Sequence, residues 1–129
     1  MSEIGLVTLV VADYDEAIDF YRDKLGFVLR EDMDMGNGKR WVVLAPRVAV
    51  GCGLLLGKAG NQTQRAAIGN QTGGRVGMFL HSENFRRDYH FMKERGVVFL
   101  EEPREEEYAT VVVFEDLYGN RWDLLQPKV

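Results

Sequence analysis

A chain of 129 residues has the length of one domain, and it can bury about 65 to 70% of the surface its unfolded form exposes, so neither a disulfide nor a metal is needed to fold it. Its composition, 46% hydrophobic and 28% charged, lies outside the disordered, fibrous and membrane-spanning classes. The formal net charge of −4, with Lys and Arg scattered along the chain, argues against nucleic acid or an anionic membrane as partner, since both need a positive field.

The single cysteine, Cys52, excludes an intrachain disulfide, and the opening residues lack a basic, apolar leader pattern; both features point to a reducing cytoplasm.

Ile4 to Val11 is rich in β-branched residues and leucine and too short for a helix, so it reads as a buried strand. Asp13 follows as a helix cap, with Glu16 placed three residues on as the reciprocal partner of a capping box. Ala17, Ile18, Tyr21 and Leu25 form the apolar face of that helix, expected near 14 to 25, and Gly26 ends it. Phe27 to Met33 predicts a strand, Gly36-Asn37-Gly38 a tight reversal, and Trp41 to Ala45 the returning strand. Val50 to Leu56 reads as another apolar strand, with Cys52 a small buried residue in it.

Residues 58–74 differ in composition, with Gly, Asn, Gln and Thr dominating. A stretch this long without a clear element is either an inter-module linker or a mobile flap, and the linker is the plainer reading. Arg75 to His81 is the next strand. Asn84, or alternatively Ser82, caps a second helix expected near 84 to 95, with Phe85, Tyr89 and Met92 as its apolar stripe. Val97 to Leu100 predicts a strand and Glu101 to Glu107 an acidic, solvated hairpin. Tyr108 to Glu115 and Arg121 to Gln126 are the last two strands, joined by Leu117-Tyr118-Gly119-Asn120. The order β-α-β-β-β therefore occurs twice, in modules 1–57 and 75–129, and the fold class is mixed α+β.

Two motifs carry a resemblance. Val11-Ala12-Asp13-Tyr14-Asp15-Glu16-Ala17-Ile18-Asp19-Phe20-Tyr21 with Leu25-Gly26-Phe27, and Phe114-Glu115-Asp116-Leu117-Tyr118-Gly119-Asn120-Arg121-Trp122-Asp123-Leu124, are similar to motifs of the vicinal oxygen chelate superfamily, which groups glyoxalase I, extradiol dioxygenases and bleomycin-resistance proteins. The resemblance implies two β-α-β-β-β modules whose curled sheets enclose a cleft, and a homodimer. It also implies that metal-dependent members draw four ligands from the first and last strands of each module. By motif register those positions are Leu6, Leu54 or Leu55, Gly77 and Asp123, and three of the four offer no side-chain donor. A resident metal or other cofactor is therefore not expected.

Alternation along the strands groups Thr8 and Val10, then Phe79 and His81, then Arg121, Asp123 and Leu125 on the cleft side. His81 and Asp123 are the candidates for catalysis, His81 because imidazole is the usual proton-transfer group at neutral pH. Thr8, Trp41, Phe79, His81, Tyr108, Glu115, Arg121 and Asp123 are the candidates for binding a small organic ligand, with Tyr108 and Glu115 flanking their strand near the cleft mouth; the parity of Trp41 stays open. Trp122 and Leu124 point the other way, into the core. Three functions compete: a metal-free small-molecule binder, a glyoxalase-like lyase or dioxygenase with a non-standard site, and a structural or regulatory dimer module. The missing ligand positions favour the first over the second, and the polar content of the cleft counts against the third.

Overall fold

The computed structural model describes residues 1–47 and 51–129. The chain divides into two compact units, Met1–Ile68 and Gly69–Val129. Val50, which the sequence reading placed at the head of a strand, lies outside the described residues.

In the first unit β1 (Leu6–Val11) leads into α1 (Tyr14–Asp19), a single π-helical turn (Phe20–Lys24), β2 (Val28–Gly36), β3 (Lys39–Ala45), β4 (Gly53–Lys58) and α2 (Gln62–Ala67). The sheet order is β1-β4-β3-β2, with β1 parallel to β4 and the remaining pairs antiparallel. The Asp13 carboxylate accepts the Glu16 amide at 3.0 Å, which satisfies one orphan donor at the start of α1 as the sequence leads one to expect. One helix to residue 25 was expected, yet the α-helical pattern stops at Asp19. The π turn that follows widens the coil, so that Phe20, off the apolar face at 3.6 residues per turn, is buried together with Tyr21. Their rings meet edge to face at 5.3 Å, and Tyr21 also touches Phe27 at 5.5 Å. The hairpin between β2 and β3 turns through Asn37 at φ 56°, flanked by glycines that also have positive φ.

The second unit follows the same order with one short strand more: β5 (Val76–His81), α3 (Phe85–Glu94), β6 (Val98–Phe99), β7 (Arg104–Glu105), β8 (Ala109–Glu115) and β9 (Arg121–Pro127). Its sheet runs β5-β9-β8-β6, the same permutation, with β7 paired to β8 as well. Asn84 caps α3 by accepting the Arg87 amide at 3.1 Å, while Gln126 from β9 accepts the Phe85 amide at 2.8 Å and ties the helix to the sheet. Under α3 an aromatic series runs Phe85, Tyr89, Phe99, Phe114, Trp122, with successive ring centroids 4.7 to 6.0 Å apart. Trp122 is therefore core, where strand alternation puts it.

Three local expectations change. The stretch 58–74, read as lacking an element, contains α2, because Asn61 accepts the Gln64 amide at 2.8 Å and so caps a short helix without any apolar stripe to announce it. Cys52 is exposed rather than buried, since β4 starts only at Gly53. The acidic hairpin 101–107 is internally paired: Arg104 binds Glu101 and Glu106 and aligns with Val111 of β8. Among the described residues no helix is long and apolar enough to cross a membrane.

Candidate functional site

Each sheet has one face covered by its helix and one turned away from it. In the first unit Leu9 and Val11 are fully buried toward α1, so Thr8 and Val10 point to the far face. The glycines of β4 fix who else is there: a Cβ on Gly53 would lie 3.2 Å from both Leu6 and Val43, and one on Gly57 3.0 Å from Thr8. Leu55, the register partner of Thr8, belongs to this face and Leu54 to the helix side. Trp41, two residues from Val43, is thus a far-face residue, which settles a parity the sequence leaves open. Its indole N–H donates to Glu31 Oε2 at 3.2 Å, across the pairing of β2 and β3, where Trp41 lies opposite Met33 and Glu31 opposite Val43.

In the second unit Phe79 and His81 of β5 lie opposite Asp123 and Leu125 of β9, and Asp123 in turn lies opposite Val113 of β8. Arg121 and Glu115 form the next rung. Phe79 is 58% exposed, whereas Val111 and Leu125 close around the strand beneath as buried apolar residues. In this apolar setting Asp123 Oδ1 is buried, and no group of the described chain donates a hydrogen bond to it. Burial pushes the Asp123 carboxyl above its ordinary range; the nearby Arg104 guanidinium opposes that shift and Glu101 adds to it.

Arg121, another of the candidate binding residues, is on the same face as Asp123 but forms no ion pair with it or with Glu115. His81 is exposed one rung along from Asp123, a displacement of about 7 Å, so the two do not form a hydrogen-bonded pair. Tyr108 and Glu115 stand at the two ends of β8, with Tyr108 62% exposed just ahead of the strand.

Glu31, Arg104 and Glu101 were missed by strand alternation alone. Glu31 has the right parity, but the β2 register shifts between Leu29 and Glu31, so its face is not fixed by counting. Arg104 sits in a two-residue strand that the acidic run conceals.

A family model for the glyoxalase/bleomycin resistance protein/dioxygenase superfamily matches residues 3–124. The chain belongs to this superfamily. An uncharacterized protein of Shewanella frigidimarina is 54% identical over 121 residues, 93% of this chain and 90% of that protein. Among solved structures, UcmS2 superposes with a TM-score of 0.84 at 32% identity, covering 97% of this chain and 98% of that one. TnmS3, described as an antibiotic binding protein from Streptomyces sp. CB03234, gives 0.80 at 29% identity, covering 99% and 98%. The repeated β-α-β-β-β order with two mixed sheets is the fold of these superfamily members.

The metal that some superfamily members use does not fit the residues present. Leu6, Leu55 and Gly77 supply no donor, and a Cβ on Gly77 would fall 2.6 Å from the Thr72 methyl, so that position is filled by a neighbour. Among the described residues no three His, Cys, Asp or Glu side chains group as a metal ion would require.

Proposed function

We propose that this superfamily member binds a small organic molecule on the far face of the second unit's sheet and does so without a metal ion. The observation that carries this reading is the exposed Phe79 ring beside the part-buried Asp123 carboxylate, a polar group set among apolar neighbours as in sites that orient a ligand. The similarity to TnmS3, whose description is that of an antibiotic binding protein, supports the same class of function.

Calorimetric titration of a panel of planar aromatic compounds into chelator-treated protein, with Phe79→Ala as control, tests this. Binding that survives chelation and weakens in Phe79→Ala supports the proposal; binding only after a divalent ion is added, or none at all, overturns it.

The chain also pairs as a homodimer in this reading. Its support is that β1 and β5 end their sheets and that Leu6 and Val7 of β1 are exposed. Sedimentation at micromolar concentration giving a monomer would overturn it.

A further inference from the structure

A cavity of about 400 Å³ opens in the second unit on the helix side of its sheet, away from the face that carries Phe79. Helix α3 supplies Tyr89 and Lys93 to its wall; Val97, Phe99, Leu100, Glu101 and Glu102 supply the rest. That volume suits a small molecule. The apolar part is built from the Tyr89 and Phe99 rings, 4.7 Å apart, and from the buried Val97.

Of the three charges on the wall, one is already engaged. Glu101 binds Arg104 Nε through both oxygens at 3.0 Å and accepts the Val113 amide at 3.0 Å. Lys93 differs: its ammonium donates to Tyr89 Oη at 3.4 Å, lies 5.4 Å from the centre of that ring, and forms no ion pair among the described residues. Tyr89 is the acceptor in that bond, so its own O–H has no acceptor among the described residues. Glu102 is exposed and makes neither a hydrogen bond nor an ion pair among the described residues. Two unpaired charges of opposite sign therefore border one cavity with an apolar floor. A ligand with a single charge would pair with one of them and stand against the like charge of the other, whereas a zwitterion matches both.

We propose that this cavity binds a small zwitterion with an apolar body, of the chemical class of an apolar α-amino acid. The ligand carboxylate takes Lys93 Nζ and the Tyr89 O–H, its ammonium faces Glu102, and its side chain lies against Phe99 and Leu100. The site is independent of the far-face reading above, because Phe79 and Asp123 lie on the other side of the sheet.

Three probes that share one body test it by calorimetry on the full chain: L-phenylalanine, 3-phenylpropanoate, which lacks the ammonium, and phenethylamine, which lacks the carboxylate. Wild-type protein should bind L-phenylalanine at least about fivefold more tightly than either of the others. Lys93→Gln should erase the preference over phenethylamine and keep that over 3-phenylpropanoate; Glu102→Gln should do the reverse. Both side chains are exposed, so neither substitution endangers the fold. Phe79→Ala, on the far face, should leave all three affinities unchanged. Equal binding of the three probes by wild-type protein overturns the zwitterion site and leaves the far-face reading standing. So does a loss of all three alike in Lys93→Gln and Glu102→Gln. Loss of L-phenylalanine binding in Phe79→Ala places the ligand on the other face and overturns the site as well. Failure of every probe to bind at millimolar concentration overturns it without touching the far-face reading, which the planar compounds test separately.

Discussion

Thr72 occupies the space that any side chain at Gly77 would need: a Cβ built there lies 2.6 Å from Thr72 Cγ2. The threonine is itself anchored, its hydroxyl donating to the Arg75 carbonyl at 2.6 Å, so it does not swing aside freely. Gly77 also coincides with the irregularity in the pairing of β5 with β9, between Val76 and Met78.

It follows that restoring an imidazole at this position does not restore a metal site. Gly77→His should destabilise the protein by about 1–3 kcal/mol through overpacking, without recovery on adding zinc or nickel. The collision can be assigned by a double-mutant cycle. Thr72→Ser removes the offending methyl and keeps the hydroxyl, so it should relieve most of the cost of Gly77→Ala, and denaturant midpoints of the four proteins measure the coupling. Simple additivity would show that Thr72 is not the obstacle.

The Asp116 to Asn120 turn, part of the motif that carries the superfamily resemblance, is held by one buried carboxylate. Asp116 Oδ1 accepts the amides of Tyr118 at 3.0 Å and Asn120 at 2.9 Å, and Oδ2 accepts the Asn120 side-chain amide at 2.9 Å. Asp116→Ala strands these donors and should cost about 2–4 kcal/mol in chemical denaturation. Asp116→Asn keeps the Oδ1 acceptor and should cost clearly less. Equal losses for the two would mean that charge, not the acceptor geometry, holds the turn.

Much of this architecture is legible in the sequence. Asp13 and Asn84 announce their helices because an N-cap acts within three residues, and Trp122 and Asp123 separate onto opposite faces because strand parity is strictly local. What stayed hidden depends on neighbours distant in sequence or on broken periodicity. Phe20 is buried by a π turn that a period of 3.6 does not describe, and α2 has a cap but no apolar stripe. For the candidate site, counting groups Phe79, Asp123 and Arg121 on one face. It cannot show that Asp123 Oδ1 has no donor among the described residues, or that Arg104 is engaged by the acidic run around it.

Asp123 also makes stability depend on pH in a defined direction. Burial raises its folded pKa above the ordinary value of 3.8, so the folded state holds the proton more tightly than the unfolded state does. The stabilising contribution is therefore complete below 3.8 and is lost as pH rises through the raised folded value. Measured as the difference between wild type and Asp123→Asn, stability should fall over that window and then level off. A difference that stays flat, or one of opposite sign, would mean that burial does not govern this carboxyl.

Glu101 completes the edge of β8 where its partner strands leave a gap. Leu100 donates its amide to the Val113 carbonyl at 3.0 Å, and Glu101 Oε2 accepts the Val113 amide at 3.0 Å, so a side chain takes over the pairing between β6 and β7. The same carboxylate holds Arg104 in an ion pair that is part-exposed, so its charge contributes little to stability beside the amide bond it makes. Glu101→Ala should therefore cost about 1–2 kcal/mol, most of it from the Val113 amide left without an acceptor. Hydrogen exchange at that one amide should accelerate, while Glu102→Ala, which removes a neighbouring carboxylate, should leave it unchanged. An unchanged exchange rate at the Val113 amide in the Glu101 variant would show that the carboxylate does not complete this edge.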